Sequence, residues 1–220
     1  MGTGHGRSAQ AVAESCKRFV VGVDLGGEKL AEARKRLAGW PVDFVCADAA
    51  RLPFRDESFA LVTATLTVHE FERSSVRSAL LEVKRVLMPE GRLVVIDKCR
   101  ISGLSPQEEL TLLTEEAYHK ALKYATGVEA LGVLKPEEFV ELVESSGFKV
   151  EDCWVGRLGK WLPPGEFLSS WGFQTRSLIQ QIEDREVADR LRSLVNKIVE
   201  IASEHGYGPA PVLFARFSKA

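Results

Sequence analysis

The chain has 220 residues, with 29 Lys+Arg against 31 Asp+Glu and a formal net charge of −2. That balance argues against a general nucleic-acid binder, which carries a basic excess or stripe. The longest apolar runs, such as residues 93–96, fall far short of the roughly 20 residues that span a bilayer. No charged-then-apolar leader opens the chain, so a soluble cytoplasmic protein is expected. At 45% hydrophobic and 27% charged residues, the composition suits one globular domain with large insertions.

Taken in chain order, the chain opens on Gly2-Thr3-Gly4-His5-Gly6, and Ala9, Val12, Ala13 and Cys16 then recur at helical spacing. An apolar strand from Phe19 to Val23 ends in Asp24. Leu30, Ala33 and Leu37 mark the next helix, and a strand over Val42 to Ala47 ends in Asp48. A third strand covers Phe59 to Thr65, an amphipathic helix carries Val76, Ala79, Leu80 and Val83, and Gly91 to Asp97 is a fourth strand. Strands separated by helices in this way imply βαβ units and a parallel sheet covered on both faces.

The second half is richer in helix. Ser105-Pro106-Gln107-Glu108 has capping-box spacing with Pro at the first helical position. Pro136 opens a helix stopped by Gly147, and Phe148 to Val155 reads as a strand. A long helix from Val187 to Ala202 ends at Gly206, Val212 to Phe217 is a final strand, and residues 161–165 read as a loop. Cys16, Cys46, Cys99 and Cys153 lie dozens of residues apart with no Cys-x-x-Cys pair. They are expected to be buried structural thiols, and the spacing offers no metal-binding set.

The glycine turn before a helix lets backbone approach a ligand while the helix N-terminus presents free N–H groups. Asp24 follows Gly6 by 18 residues, at the end of the next strand. A carboxylate there can accept both hydroxyls of a ribose, or it can simply cap the following helix. Together the two features point to a nucleoside ligand. A nicotinamide fingerprint fits poorly, because the third glycine comes one residue early and Arg7 occupies its slot.

Two further stretches narrow the reading. Residues 48–59 run Asp-Ala-Ala-Arg-Leu-Pro-Phe-Arg-Asp-Glu-Ser-Phe, and residues 82–93 run Glu-Val-Lys-Arg-Val-Leu-Met-Pro-Glu-Gly-Arg-Leu. With these in place, the chain resembles the class I S-adenosylmethionine-dependent methyltransferases, within the broad group that includes quinone-biosynthesis C-methyltransferases. The resemblance covers residues 1–97 well, and residues 136–155 and 207–217 loosely. It implies a Rossmann-like α/β fold, a doubly wound, mostly parallel sheet with an antiparallel C-terminal strand. It also implies that Gly2, Thr3, Gly4 and Gly6 pass under the amino-acid end of S-adenosylmethionine. Asp24 would hold the ribose hydroxyls, Leu25 would face the adenine, Asp48 and the Ala49 N–H would reach the base, and Thr65 to Val68 would line the site.

Three positions depart from the family pattern. Glu90 precedes Gly91 where a second glycine is usual, and Ala60 replaces an Asp after Phe59. The family also has a strand before the glycines, ending in an acidic residue, and that strand is missing here. Two central neighbours would then lack ladder partners, at about 1–3 kcal/mol for each buried group left unpaired. The chain is therefore expected to be a piece of a longer protein.

On the acceptor side His69, after the third strand, is the candidate catalytic base. Asp97, Tyr118 and His119 are weaker candidates; His5 reads as a cofactor-side neighbour and His205 as a cation at a helix C-terminus. Residues 101–135 and 160–206 exceed a minimal core and are expected to form a helical substrate lid or, alternatively, a homodimer face. Trp154, Trp161, Phe167, Trp171 and Phe173 concentrate near the second insertion, either packing the long helix or lining an apolar pocket. The partner is expected to be a small molecule, neither nucleic acid nor membrane. A binding subunit without catalysis is the competing reading.

Overall fold

The computed structural model describes residues 1–220. The N-terminal half alternates α1 (Arg7–Cys16), β1 (Val20–Asp24), α2 (Gly27–Arg36), β2 (Val42–Cys46), β3 (Phe59–Thr65), α3 (Val76–Val86) and β4 (Leu87–Lys98). Then follow α4 (Pro106–Thr126), α5 (Pro136–Glu144), β5 (Phe148–Leu158), α6 (Pro164–Ser170), α7 (Phe173–Gln180), α8 (Arg185–His205) and β6 (Ala210–Lys219). Every strand and long helix read from periodicity is present. The stretch over residues 161–165, expected as a loop, already contains the start of α6, because Pro164 supplies the fixed φ of a first helical turn.

The strands form two sheets. β1 pairs in parallel with β2, Val20 facing Val42 and Asp24 facing Cys46. The larger sheet has the order β3-β4-β6-β5, with β6 antiparallel to both neighbours. Between β1 and β3 runs no strand. Residues 1–3 bridge the gap instead: the Met1 amino group donates to the Thr63 carbonyl at 2.9 Å, and the Thr3 N–H donates to the Val23 carbonyl at 3.0 Å. Along the facing edges Val20, Val21, Leu61 and Val62 are half-buried, whereas Val23 and Ala64 are buried.

Three apolar clusters hold the layers. Leu80, Val83, Leu93, Val95, Phe139, Val143, Phe148 and Phe217 join α3 and α5 to the large sheet. Each side chain of this size contributes about 1.5–3 kcal/mol when fully buried. Ala9, Leu30, Ala33, Leu37 and Phe44 pack α1 and α2 on the small sheet. The two insertions fold against each other, with Leu110 and Ala117 of α4 meeting Phe167, Ile198 and Ala202 of α6 and α8. Small residues at 117 and 202 let these helices approach closely. The capping box of α4 forms as expected, Glu108 accepting the Ser105 N–H at 3.0 Å, and Asp184 caps α8 by accepting the Val187 N–H at 3.1 Å.

The cysteines differ from expectation. Only Cys99 is buried; Cys16, Cys46 and Cys153 are exposed. Cys16 lies in the last turn of α1, Cys46 ends an edge strand, and Cys153 sits on the outward side of edge strand β5, so an apolar neighbourhood in sequence does not become burial.

Candidate active site

β1, β2, β3 and β4 all end at the same edge, which gathers Asp24, Asp48, the turn after Thr65, and Asp97. A cavity of about 1010 Å³ opens there. Ligand pockets range over about 300–1,000 Å³, so this one has room for a nucleoside and a second small molecule.

On one side lie Met1, Gly2, Gly4, Asp24, Leu25, Lys29, Asp48, Ala49, Leu66 and Thr67. Gly2 has φ +62°, and a Cβ there would fall 1.9 Å from the Thr67 hydroxyl oxygen, so only glycine fits between the N-terminal turn and the turn after β3. The turn closes on Asp24: Oδ2 accepts the Gly4 N–H at 2.7 Å and Oδ1 accepts the Gly26 N–H at 2.8 Å. A carboxylate has about four lone-pair sites, so one on each oxygen stays free to accept ribose hydroxyls. Asp24 thus orders two loops and also lines the cavity. Asp48 Oδ1 accepts the Ala50 N–H at 2.8 Å, which fixes the turn carrying Ala49.

Thr3, Gly6 and Thr65 do not line the cavity. Thr3 is buried with its hydroxyl 3.4 Å from that of Ser8, Gly6 packs under Ala33 and Phe44, and Thr65 ends β3 one residue short of the wall. His5 lies on the outer face instead of beside the cavity, its Nε2 3.2 Å from Glu32 and its carbonyl accepting from Arg36. His205 ends α8, as its sequence position suggested.

The motif stretch after β2 has a structural explanation. Arg85 donates to Glu82 at 2.7 Å, to Asp56 at 2.7 Å, and to the carbonyls of Leu52 and Phe54 at 3.0 and 2.8 Å. Glu82 in turn accepts the Leu52 N–H at 2.8 Å. The pair on α3 thus clamps the segment behind Asp48 and Ala49, and Arg85 beside it holds the Glu82 carboxyl below its usual range.

The acceptor side is built by residues far apart in sequence. A 3₁₀ turn at Val68–Glu70 follows Leu66, whose φ of +50° is unusual for a branched residue and turns the chain sharply off β3. Buried His69 turns its Nδ1 to Asp97 at the end of β4, and its backbone N–H donates to Asp97 Oδ2 at 3.1 Å. Burial works against a charged His69, but Asp97 and Glu70 outweigh it and raise its pKa to about 9. His69 does not face the cavity directly. Its Nε2 points at Glu70 Oε1, 3.2 Å away, and Glu115 Oε2, 3.6 Å away, and these two carboxylates form the wall. Tyr118, Thr114, Trp171, Phe173, Thr175 and Tyr207 complete this half.

Of the aromatic set, only Trp171 and Phe173 reach the cavity, and Phe173 is 82% exposed at its rim. Phe167 stacks on Tyr207 with ring centroids 4.3 Å apart, Trp154 stacks on Phe214, and the Trp161 indole donates to the His205 carbonyl at 3.1 Å. Lys29, Glu70, Glu115, Thr175 and Tyr207 carry no sequence signal that singles them out as a group. The one available hint was the four-residue spacing of Glu115 and His119, which puts them on one helix face.

Residues 1–95 match the methyltransferase domain family. Among curated proteins, the chain is 33% identical over 172 residues to demethylmenaquinone methyltransferase of Clavibacter sepedonicus, covering 78% of this chain and 61% of that protein. It is 40% identical over 98 residues to the ubiquinone/menaquinone biosynthesis C-methyltransferase of Desulfotalea psychrophila, covering 44% and 39% respectively. The chain thus spans less than two thirds of the length of each. Among solved structures, the S-adenosylmethionine dependent methyltransferase of Mesorhizobium loti is similar with a TM-score of 0.57 at 18% identity, over 99% of this chain and 88% of that one. The cyclase SpnF is similar with a TM-score of 0.58 at 22% identity, over 99% and 72%. These two likenesses concern the fold alone.

Proposed function

We propose that the chain is a class I, Rossmann-like S-adenosylmethionine-dependent methyltransferase of a small apolar or aromatic molecule, a reading supported by the match of residues 1–95 to the methyltransferase domain family. The observation that carries the reading is Asp24, tied through Gly4 to the glycine turn and facing the same cavity as Asp48 and Ala49. When bound, the cofactor would supply an activated methyl group on a sulfonium, so the protein's task is alignment and exclusion of water.

Each residue has a defined part in this reading. Asp24 would accept the ribose hydroxyls through its free lone pairs. Leu25 would cover one base face, and Asp48 and the Ala49 N–H would meet the base edge. Gly2 and Gly4 would let the amino-acid end lie against backbone, with Thr3 and Gly6 holding the turn from behind and Thr65 positioning Leu66 and Thr67. The turn's backbone keeps Asp24 oriented whether or not a ligand is present.

Trp171 and Phe173 give the acceptor half an apolar rim, in keeping with the quinone-type substrates in the names of the curated relatives. The inserted helices α4 and α6 to α8 would form the lid over that half, with a homodimer face as their alternative use. His69 is assigned to the acceptor side, acting through Glu70 and Glu115. A cytoplasmic setting would keep the exposed thiols of Cys16, Cys46 and Cys153 reduced.

Titration calorimetry with S-adenosylmethionine and its demethylated product tests the reading. Binding of both, lost in Asp24→Ala, is expected. Binding of neither would reject it, and with it the role given to Asp24.

A further inference from the structure

Behind the acceptor wall, four side chains converge in a way that neither methyl transfer nor the fold requires. His69 and Glu70 come from the turn after β3, and Glu115 and His119 from one face of α4. His69 Nε2 lies 3.2 Å from Glu70 Oε1 and 3.6 Å from Glu115 Oε2, while His119 Nε2 lies 3.4 Å from Glu70 Oε2 and 3.8 Å from Glu115 Oε2. One ligand atom from each of His69, Glu70 and Glu115 lies within 4.8 Å of the other two, close enough to share one ion, and His119 stands beside both carboxylates as a fourth donor.

Two other observations point the same way. The Nε2 of His119 is fully buried and makes no well-aligned hydrogen bond, although Glu70 Oε2 lies 3.4 Å away, so it is open to a ligand placed between them. The His69 ring, 4% exposed, is gripped at Nδ1 by Asp97, which leaves Nε2 directed at the cluster. A carboxylate behind a histidine in this way is the usual outer support of a metal ligand. Lys98 binds the Oε1 atom of Glu115 and so leaves Oε2 for the shell. Three carboxylates, Asp97, Glu70 and Glu115, gather here around the one ammonium of Lys98, and a bound cation would displace the proton that His69 carries in their company.

We propose that His69, Glu70, Glu115 and His119 bind a divalent first-row transition ion, such as zinc or iron(II), at the acceptor end of the cavity. The two-imidazole, two-carboxylate donor set suits such an ion and does not suit magnesium, which prefers an all-oxygen shell. Glu70 and Glu115 both face the cavity, so an open coordination position there can take an acceptor oxygen. The ion site stands independently of the methyl-transfer reading.

The test uses the full chain, stripped with a chelator, without S-adenosylmethionine, titrated with Zn²⁺ by calorimetry and with Co²⁺ by visible absorption. One ion per chain is expected, with a ligand-field spectrum of mixed nitrogen and oxygen donors and no comparable response to Mg²⁺. Glu70→Gln, at a partly exposed position that should fold normally, and His119→Gln should each weaken binding tenfold or more, whereas His5→Gln should leave it unchanged. Circular dichroism and melting curves confirm that each variant is folded. The proposal is overturned if folded wild-type protein binds no ion, if Mg²⁺ binds equally well, or if binding survives both substitutions. A protein that binds S-adenosylmethionine but no ion would overturn this site alone, and one that binds the ion but no cofactor would overturn only the methyltransferase reading.

Discussion

Gly4 and Asp24 are 20 residues apart, yet the Gly4 N–H donates to Asp24 Oδ2 at 2.7 Å across the mouth of the cavity. The bond ties to loop order a carboxylate that also lines the cavity. Hydrogen bonds to a charged partner contribute about 1.5–3 kcal/mol each. Asp24→Ala should therefore weaken cofactor binding roughly 10- to 100-fold or more for each ligand bond lost, while Asp24→Asn should fall between. Calorimetry on the three proteins checks the order; equal affinities would remove Asp24 from the site.

Gly2 cannot gain a side chain without moving Thr67, because the new Cβ would overlap its hydroxyl and the backbone has φ +62°. Gly2→Ala should destabilise the fold by about 1–3 kcal/mol and impair cofactor binding. The paired variant Gly2→Ala with Thr67→Ala should relieve the overlap but not the backbone strain, recovering part of the loss. Urea denaturation of both variants reads this out.

Arg85 and Glu82 clamp the segment behind Asp48. Arg85→Ala leaves the Leu52 and Phe54 carbonyls without that donor and should cost about 1–2 kcal/mol. The effect on cofactor affinity should be larger than that of an exposed surface Arg such as Arg190, since Ala49 loses its support. Limited proteolysis should place new cuts within residues 50–58.

Acid stability depends on Glu108. Arg157 first, and then the Ser105 N–H, hold its carboxyl down at about 2, below the ordinary 4.5. A carboxyl whose pKa is lower when folded contributes its stability fully above the unfolded value and loses it as the pH falls from about 4.5 toward 2. Glu108→Gln should lower the melting temperature at neutral pH and flatten its decline over that acid range. Melting curves from pH 2 to 7 decide.

Thiol reactivity should separate the four cysteines. Burial pushes the Cys99 thiol up to about 11, and Cys16, Cys46 and Cys153 are exposed. A colorimetric disulfide reagent should titrate three thiols in the native protein and the fourth only after unfolding. Fast reaction of Cys99 would contradict its place in the core.

The α/β order was legible because period-2 and period-3.6 patterns are local: the strand ending in Asp24, the capping box at Ser105 and the stop at Gly147 all lie where the residues put them. That Asp24 and Asp48 share one cavity was legible for a related reason. In a parallel sheet, residues that end successive strands must share one edge, so Asp24 and Asp48 come together by topology alone. Burial of single residues was less legible. Cys46 follows Val45 and Cys153 precedes Trp154, but both lie on edge strands, and which strands are edges depends on pairing.

By itself the sequence determined the order of elements, the glycine turn and the carboxylates that end β1 and β2. Tertiary structure alone decided the acceptor side. His69, Asp97, Glu115 and His119 lie on three separate elements, and apart from the helical spacing of Glu115 and His119 no periodicity couples them. They meet because α4 packs against the carboxyl edge of the sheet, held there by Leu110 and Ala117 against α6 and α8. Packing sets that docking, and with it the convergence of two imidazoles and two carboxylates around one point.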